Sequence, residues 1–255
     1  NINFLRFIAA SLVIWFHMAS LLAIPEPYIM GQGLGPIAVN IFFVLSGYLI
    51  AKSWTRSSSF GSYLIRRIAR IFPGLAVVIL LSVVVMGPIV TILPLGDYFA
   101  DAGTWKYLSL IVLAPISNVL PGVFDANPLP YAVNGSLWTL RYEFLAYLLT
   151  PLLYAATKKL CGGRKLVFAV VLAVLVLVHF LSYSGLYPLP KVLDNLFRLF
   201  AYYMAGVAVL ELGLDKYCDS QFAVVALLVI IVFRDQVGIF SSLIMFVCVC
   251  TFTLG

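Results

Sequence analysis

The sequence predicts an all-α membrane protein: a polytopic bundle of about eight transmembrane helices, with one short re-entrant or interfacial segment near 106–120. Three observations predict it. Apolar residues make up 63% of the chain and charged residues only 10%, with a mean hydropathy of +1.08, outside the range of soluble domains. Apolar runs long enough to cross a bilayer follow one another from end to end. Basic residues gather in two segments between those runs, the pattern that the positive-inside rule produces. The chain therefore reads as a single integral membrane domain over 1–255. It starts at Asn1 and stops at Gly255 inside an apolar run, so it is expected to be incomplete at both ends.

The predicted spans are 2–24, 36–54, 71–93, 136–157, 166–183, 193–213, 221–233 and 237–255. The first, NINFLRFIAASLVIWFHMASLLAI, is interrupted by Arg6 and followed by no small-residue cleavage site, so it reads as a span and not a removable leader. Lys52, Arg56, Arg66, Arg67 and Arg70 follow the second span; Lys158, Lys159, Arg164 and Lys165 follow the fourth. If both clusters are cytoplasmic, the apolar run 106–120 cannot cross completely, which makes it re-entrant or interfacial. This arrangement puts ten Lys/Arg in cytoplasmic loops and three outside, with the N-terminus cytoplasmic.

The net charge of +6 is thus spent on topology, and no basic stripe with interleaved aromatics points to nucleic acid. Cys161, Cys218, Cys248 and Cys250 lack disulfide-scaffold or zinc spacing, so no metal site is expected. No internal repeat is visible.

Polar residues inside spans are the functional candidates, because ionisable groups at membrane depth are costly unless they face protein or a cavity. Arg6 and His17 lie about 16 Å apart along the first helix and only ~20° apart around it, hence on one face. With the predicted orientation, Asn40, Glu143, His179, Arg198 and His17 can share one layer. His179 and Arg198 near the interface read as a structural pair, whereas His17 with Glu143 is the arrangement that abstracts a proton from a hydroxyl. In SYLIRRIARIFP, residues 62–73, a helix puts Arg66, Arg67 and Arg70 on one face. Three converging guanidiniums suit phosphates, although contact with anionic membrane lipids accounts for many such clusters. In FFVLSGYLI, residues 42–50, Ser46 and Gly47 permit either close helix approach or backbone access to a ligand. In NGSLWTLRYEFLAYL, residues 134–148, Asn134-Gly135-Ser136 gives a turn and a helix start, with Trp138 and Tyr142 as interfacial anchors. Arg141 and Glu143 point to different faces there, leaving Arg141 for another partner, a lipid headgroup or substrate.

Taken together, Arg6 followed by ten residues and His17, FFVLSGYLI, RRIARIFP and NGSLWTLRYEF resemble the membrane-bound acyltransferase family 3, bacterial polytopic O-acyltransferases. The four motifs stand in the family's order within the first 150 residues; beyond Pro151 the likeness is one of apolar helices only. The resemblance implies transfer of an acyl group, most often acetyl, from cytoplasmic acyl-CoA to a hydroxyl of a glycan, lipid-linked saccharide or other acceptor. It implies a multi-pass protein of the bacterial cytoplasmic membrane, with acetyl-CoA as donor substrate and no permanently bound cofactor. It carries over to Arg6 and His17 as the essential pair of the first helix and to Arg67 and Arg70 as the RxxR motif, with Arg66 beside them. CoA carries a diphosphate and a 3′-phosphate, so the arginines suit it as a dock. His17 can serve as general base or transient acyl carrier. Arg6 can line the passage or steady the donor, Ser46 and Gly47 join the donor site, and Glu143 would orient the histidine. The competing expectation is a transporter or channel in which Arg6, His17 and Glu143 form a substrate or proton path.

Overall fold

The computed structural model describes residues 2–29, 31–114, 119–128, 133–157, 163–214, 225 and 241–254. Among them the only sheet is a pair of two-residue strands, β1 (Tyr28–Ile29) antiparallel to β2 (Gln32–Gly33); all else regular is helical. The helices are α1 (Ile2–Leu21), α2 (Leu34–Thr55), α3 (Phe60–Leu81), α4 (Gly87–Val90), α5 (Leu95–Ala100), α6 (Ala102–Lys106), α7 (Leu140–Thr157), α8 (Gly163–Tyr183), α9 (Lys191–Leu212) and α10 (Ser241–Leu254). Five described stretches are long and apolar enough to cross a membrane: α1, α2, the continuous Phe60–Val90, α8 and α9. The expected count of about eight is not reached among the described residues. The 221–233 span lies outside them except for Val225, and the 237–255 span is described as helix from Ser241. In α7, Arg141, Glu143 and the buried Tyr142, Tyr147 and Tyr154 dilute the apolar character.

Two boundaries differ from the sequence expectation. The third span was expected from residue 71, but α3 begins at Phe60, where the Ser59 hydroxyl caps it by accepting from the Ser62 amide at 3.2 Å. The arginines 66, 67 and 70 therefore belong to the spanning helix itself, and Pro73 sits inside it at the cost of one backbone bond. Further along, α3 passes through a π-helical turn, Ser82–Met86, into α4. Pro88 lacks the amide that would bond the preceding turn, and a widened turn accommodates that loss. The Tyr98 hydroxyl donates to the Val83 carbonyl within this turn at 3.0 Å. The second difference is at 106–120. Its described part is a 3-10 segment, Tyr107–Val112, ended by left-handed Leu113; at ~2 Å per residue it covers only about 12 Å.

The chain divides into two compact units. The first (Asn1–Phe16, Glu26–Ser57, Ala146–Gly255) is built on α2 against α9. A Cβ on Gly47 would run into the Tyr203 carbonyl, and one on Gly206 into the Val44 carbonyl. Each glycine thus admits the other helix's backbone, the small-residue contact by which apolar helices pack without a hydrophobic driving force. Gly47 accordingly serves the close helix approach and is buried, whereas Ser46 beside it is half-buried. Polar ties flank the crossing. Arg198 donates to Asn40 (2.7 Å) and Asn195 (3.0 Å), Thr150 meets the Tyr203 hydroxyl (2.7 Å), and Glu211 takes both Tyr154 (2.5 Å) and Arg164 (2.7 Å). His179, 3% exposed, packs edge-on to Tyr183. The second unit (His17–Pro25, Ser58–Leu145) is built on α3 and holds the site described below.

Glycine substitutions separate packing from propensity. Gly47→Ala should lower the detergent-solubilised melting temperature, since overpacking against backbone costs about 1–3 kcal/mol. Gly74→Ala, where a Cβ meets nothing within 4 Å, should leave it unchanged or raise it by the ~0.5–1 kcal/mol that alanine gains over glycine in a helix. Thermal unfolding of both variants checks the opposite signs.

Candidate functional site: an arginine cluster, a cavity and a histidine in line

The site is best measured along α3, which rises 1.5 Å per residue. On its N-terminal half, Arg66, Arg70 and Arg67 fall within an arc of about 100°. Arg66 and Arg70 are exposed and Arg67 is half-buried. Arg66 donates to the Ser62 hydroxyl at 2.7 Å, and the Arg67 guanidinium lies 5.7 Å from the ring of the fully buried Tyr63. These contacts hold Arg66 and Arg67 on the face that Arg70 shares.

Twelve residues on, about 18 Å along the axis, Ser82 begins the π-helical turn. Here Asn134 ties the segment before α7 to α3. Its Nδ2 donates to Ser82 Oγ at 2.7 Å and to the Tyr107 hydroxyl at 3.0 Å. The Tyr107 hydroxyl donates to the Val133 carbonyl at 3.2 Å. Asn134 is left-handed (φ 53°, ψ 40°), a conformation that asparagine tolerates, and it starts the 3-10 turn Gly135–Thr139 that leads into α7. The sequence-predicted turn and helix start are therefore present. The asparagine side chain, however, caps no helix and reaches α3 and the 3-10 segment instead.

From that tie the chain runs back down α3. Leu137, Trp138 and Arg141 share one face and, with Leu75, Leu110, Leu113 and Ala114, line a cavity of about 310 Å³. Phe144 packs edge-on to Phe72, with ring centroids 5.2 Å apart. The rings of half-buried Trp138 and of Tyr142, 4% exposed, meet at 5.7 Å. The Arg141 guanidinium stacks over Tyr142 at 5.2 Å, and its buried Nε has no hydrogen-bond partner.

His17 belongs to this unit as well. Half-buried near the end of α1, its Cε1 would stand 3.9 Å from a Cβ on Gly135, the first residue of the 3-10 turn. Arg6, also half-buried, lies eleven residues earlier on α1. Glu143 is half-buried in the first turn of α7. About 14 Å of helix separates it from Gly135, so along this axis it stands nearer the arginines than His17. Asn40 and Arg198, expected in one layer, are hydrogen-bonded to each other. Sequence reasoning missed Ser82, Tyr107 and the buried Glu211, and left Arg141 for another partner, a lipid headgroup or substrate. Only the Asn-Gly pair at 134–135 signalled this junction.

The arginines of α3, the cavity beside Leu75 and Arg141, and His17 near Gly135 are the candidate site of the second unit. Residues 1–215 match the acyltransferase domain of family 3, and the chain belongs to that family. It is 38% identical over 156 residues to an "O-acetyl transferase" of Shigella phage Sf6, covering 60% of this chain and 45% of that protein. It is 30% identical over 184 residues to "Nodulation protein 10" of Rhizobium leguminosarum bv. viciae (67% and 48%) and 30% over 128 residues to "Acyltransferase MdmB" of Streptomyces mycarofaciens (50% and 30%). The chain spans less than half the length of each of these relatives. No solved structure matches.

The junction at Asn134 predicts a graded response. Asn134→Gly keeps the left-handed backbone and loses two hydrogen bonds, about 1 kcal/mol each. Asn134→Ala also adds roughly 1–2 kcal/mol of left-handed strain. Stability by thermal unfolding should fall in the order wild type, glycine, alanine; an alanine variant as stable as the glycine variant contradicts the reading.

Proposed function

We propose that the chain carries an O-acyltransferase centre that moves an acyl group, acetyl in the first instance, from cytoplasmic acyl-CoA to a hydroxyl of a glycan, lipid-linked saccharide or other acceptor. The observation that carries this reading is the line of three features in the second unit: arginines, apolar cavity, histidine. Guanidiniums bind phosphates through paired, charge-assisted hydrogen bonds, so Arg66, Arg67 and Arg70 suit the diphosphate and 3′-phosphate of CoA. The pantetheine arm is about twelve bonds long, or ~14 Å at the reach of an extended peptide. From phosphates held near Arg70, such an arm would extend through the cavity between Leu75 and Leu137 toward the Gly135–His17 end. The Lys/Arg bias of the loops supports a cytoplasmic arginine end.

In the step proposed, His17 takes the proton of the acceptor hydroxyl as its oxygen attacks the thioester carbonyl. The carbon–sulfur bond then breaks, and the imidazolium returns the proton to the departing CoA thiolate. The variant route has His17 itself carry the acyl group, with the acceptor attacking in a second step. Arg6, on the same helix as His17, is assigned to the passage or to steadying the donor. Glu143, placed nearer the arginines than His17, has its proposed role as the histidine's orienting carboxylate tested separately by Glu143→Gln. The printed names of two relatives, an O-acetyl transferase and an acyltransferase, agree with the reaction class.

Acyl-CoA binding and thioester cleavage by detergent-purified protein test the assignment. Wild type should bind and cleave acetyl-CoA. His17→Ala should bind with near-normal affinity and lose about 10²–10⁴-fold in rate, the usual contribution of a general acid–base group. Arg67→Ala/Arg70→Ala should lose binding, since each charge-assisted contact contributes ~1.5–3 kcal/mol. Absence of acyl-CoA binding in wild type overturns the proposal.

A further inference from the structure

Among the described residues that line the cavity, Arg141 is the charged one; the others are Leu75, Leu110, Leu113, Ala114, Leu137 and Trp138. Its Nε is buried without a hydrogen-bond partner, and the contact that positions the guanidinium is the Tyr142 face at 5.2 Å. A buried guanidinium nitrogen left this way is costly unless a ligand supplies the acceptor. The contrast within the same chain is plain. Arg198 is answered by Asn40 and Asn195, and Arg164 by Glu211.

The occupant that fits must be apolar along most of its length and present one acceptor oxygen to a guanidinium. A free aliphatic chain supplies no acceptor, and a phosphate would have to desolvate against leucines. The thioester end of an acyl-pantetheine arm meets both demands. It is a methylene chain and a small acyl group around a carbonyl whose oxygen gains negative charge as the hydroxyl adds. Arg141 also stands between the two ends of the site. Leu75, which shares its cavity, lies about 8 Å beyond Arg70 and about 10 Å short of Ser82 along α3.

Resting on the proposed acyl-CoA chemistry, we infer that Arg141 is a catalytic residue, whose guanidinium donates to the thioester carbonyl oxygen and holds the oxyanion formed on acyl transfer. In that step the carbonyl carbon gains the acceptor oxygen and its π electrons move onto the carbonyl oxygen beside Arg141. Collapse restores the carbonyl, expels the CoA thiolate and leaves Arg141 protonated throughout. Preorganised donors at such a position contribute most of their effect in the transition state.

The test compares full-length wild type, Arg141→Met and Arg141→Lys in detergent, reading thiol release from acetyl-CoA and, separately, the affinity for CoA without an acyl group. Arg141→Met should lower kcat by about 10²–10³-fold, as loss of an oxyanion donor does, with CoA affinity within about twofold of wild type. Arg141→Lys should recover part of the rate, and so should added guanidinium with the methionine variant. A methionine variant that keeps wild-type kcat, or one that loses CoA affinity in parallel with rate, overturns the inference while leaving the proposed function standing. Wild type that neither binds CoA nor cleaves acetyl-CoA overturns both.

Discussion

Inside an apolar bundle a side-chain amide must find its acceptors within the protein, and the second unit is arranged around the place where Asn134 finds them. Its bonds to Ser82 and Tyr107 span 52 and 27 positions and join three pieces of chain. Water cannot substitute for them cheaply at such a position, so the tie fixes register as well as proximity. From it follow the direction of the 3-10 turn, the placing of Gly135 near His17, the face that Leu137, Trp138 and Arg141 present to the cavity, and the pairing of Phe144 with Phe72.

The π-helical turn belongs to the same arrangement. Pro88 forces a break in the α-helical ladder, and the break frees backbone acceptors where the hairpin of short helices needs anchoring. Tyr98 takes the Val83 carbonyl, Thr104 bonds the Tyr98 carbonyl at 2.6 Å, and Thr91 bonds the Pro121 carbonyl at 2.9 Å. A helix defect thus becomes an attachment site, which explains why a stretch of only marginal length and hydropathy can be held against α3 without spanning.

Much of this was legible in the sequence, and the failures share one cause. Apolar runs located α1, α2, α8 and α9 to within a few residues, because each is long and apolar enough to cross a membrane. The close approach at Gly47 was one of two readings left open, and only the position of Tyr203 resolves it. Arg198 and Asn40 were expected at one depth, and they bond at 2.7 Å. The span expected from residue 136 opens as a 3-10 turn, Gly135–Thr139, and α7 itself starts at Leu140, which no local pattern reports. Arg141 was left for another partner, a lipid headgroup or substrate, because its cavity neighbours Leu75 and Leu110 come from segments 66 and 31 positions away.

The role of α3 follows from these particulars. One helix carries the arginine cluster, supplies Leu75 to the cavity and ends in the turn to which the segment near His17 is tied. The spacing between the arginine cluster and Ser82 is therefore set by twelve residues of a single helix, about 18 Å, and not by loops whose length and conformation drift. A rigid spacing of that kind suits a ligand with charge at one end and its reactive group a fixed arm's length away, because orientation then costs little entropy at the moment of reaction. It also explains why the cations stand on the membrane helix itself. An arginine cluster on a connecting loop would bind phosphates equally well, but it would not hold the far end of the ligand in register with Arg141 and His17.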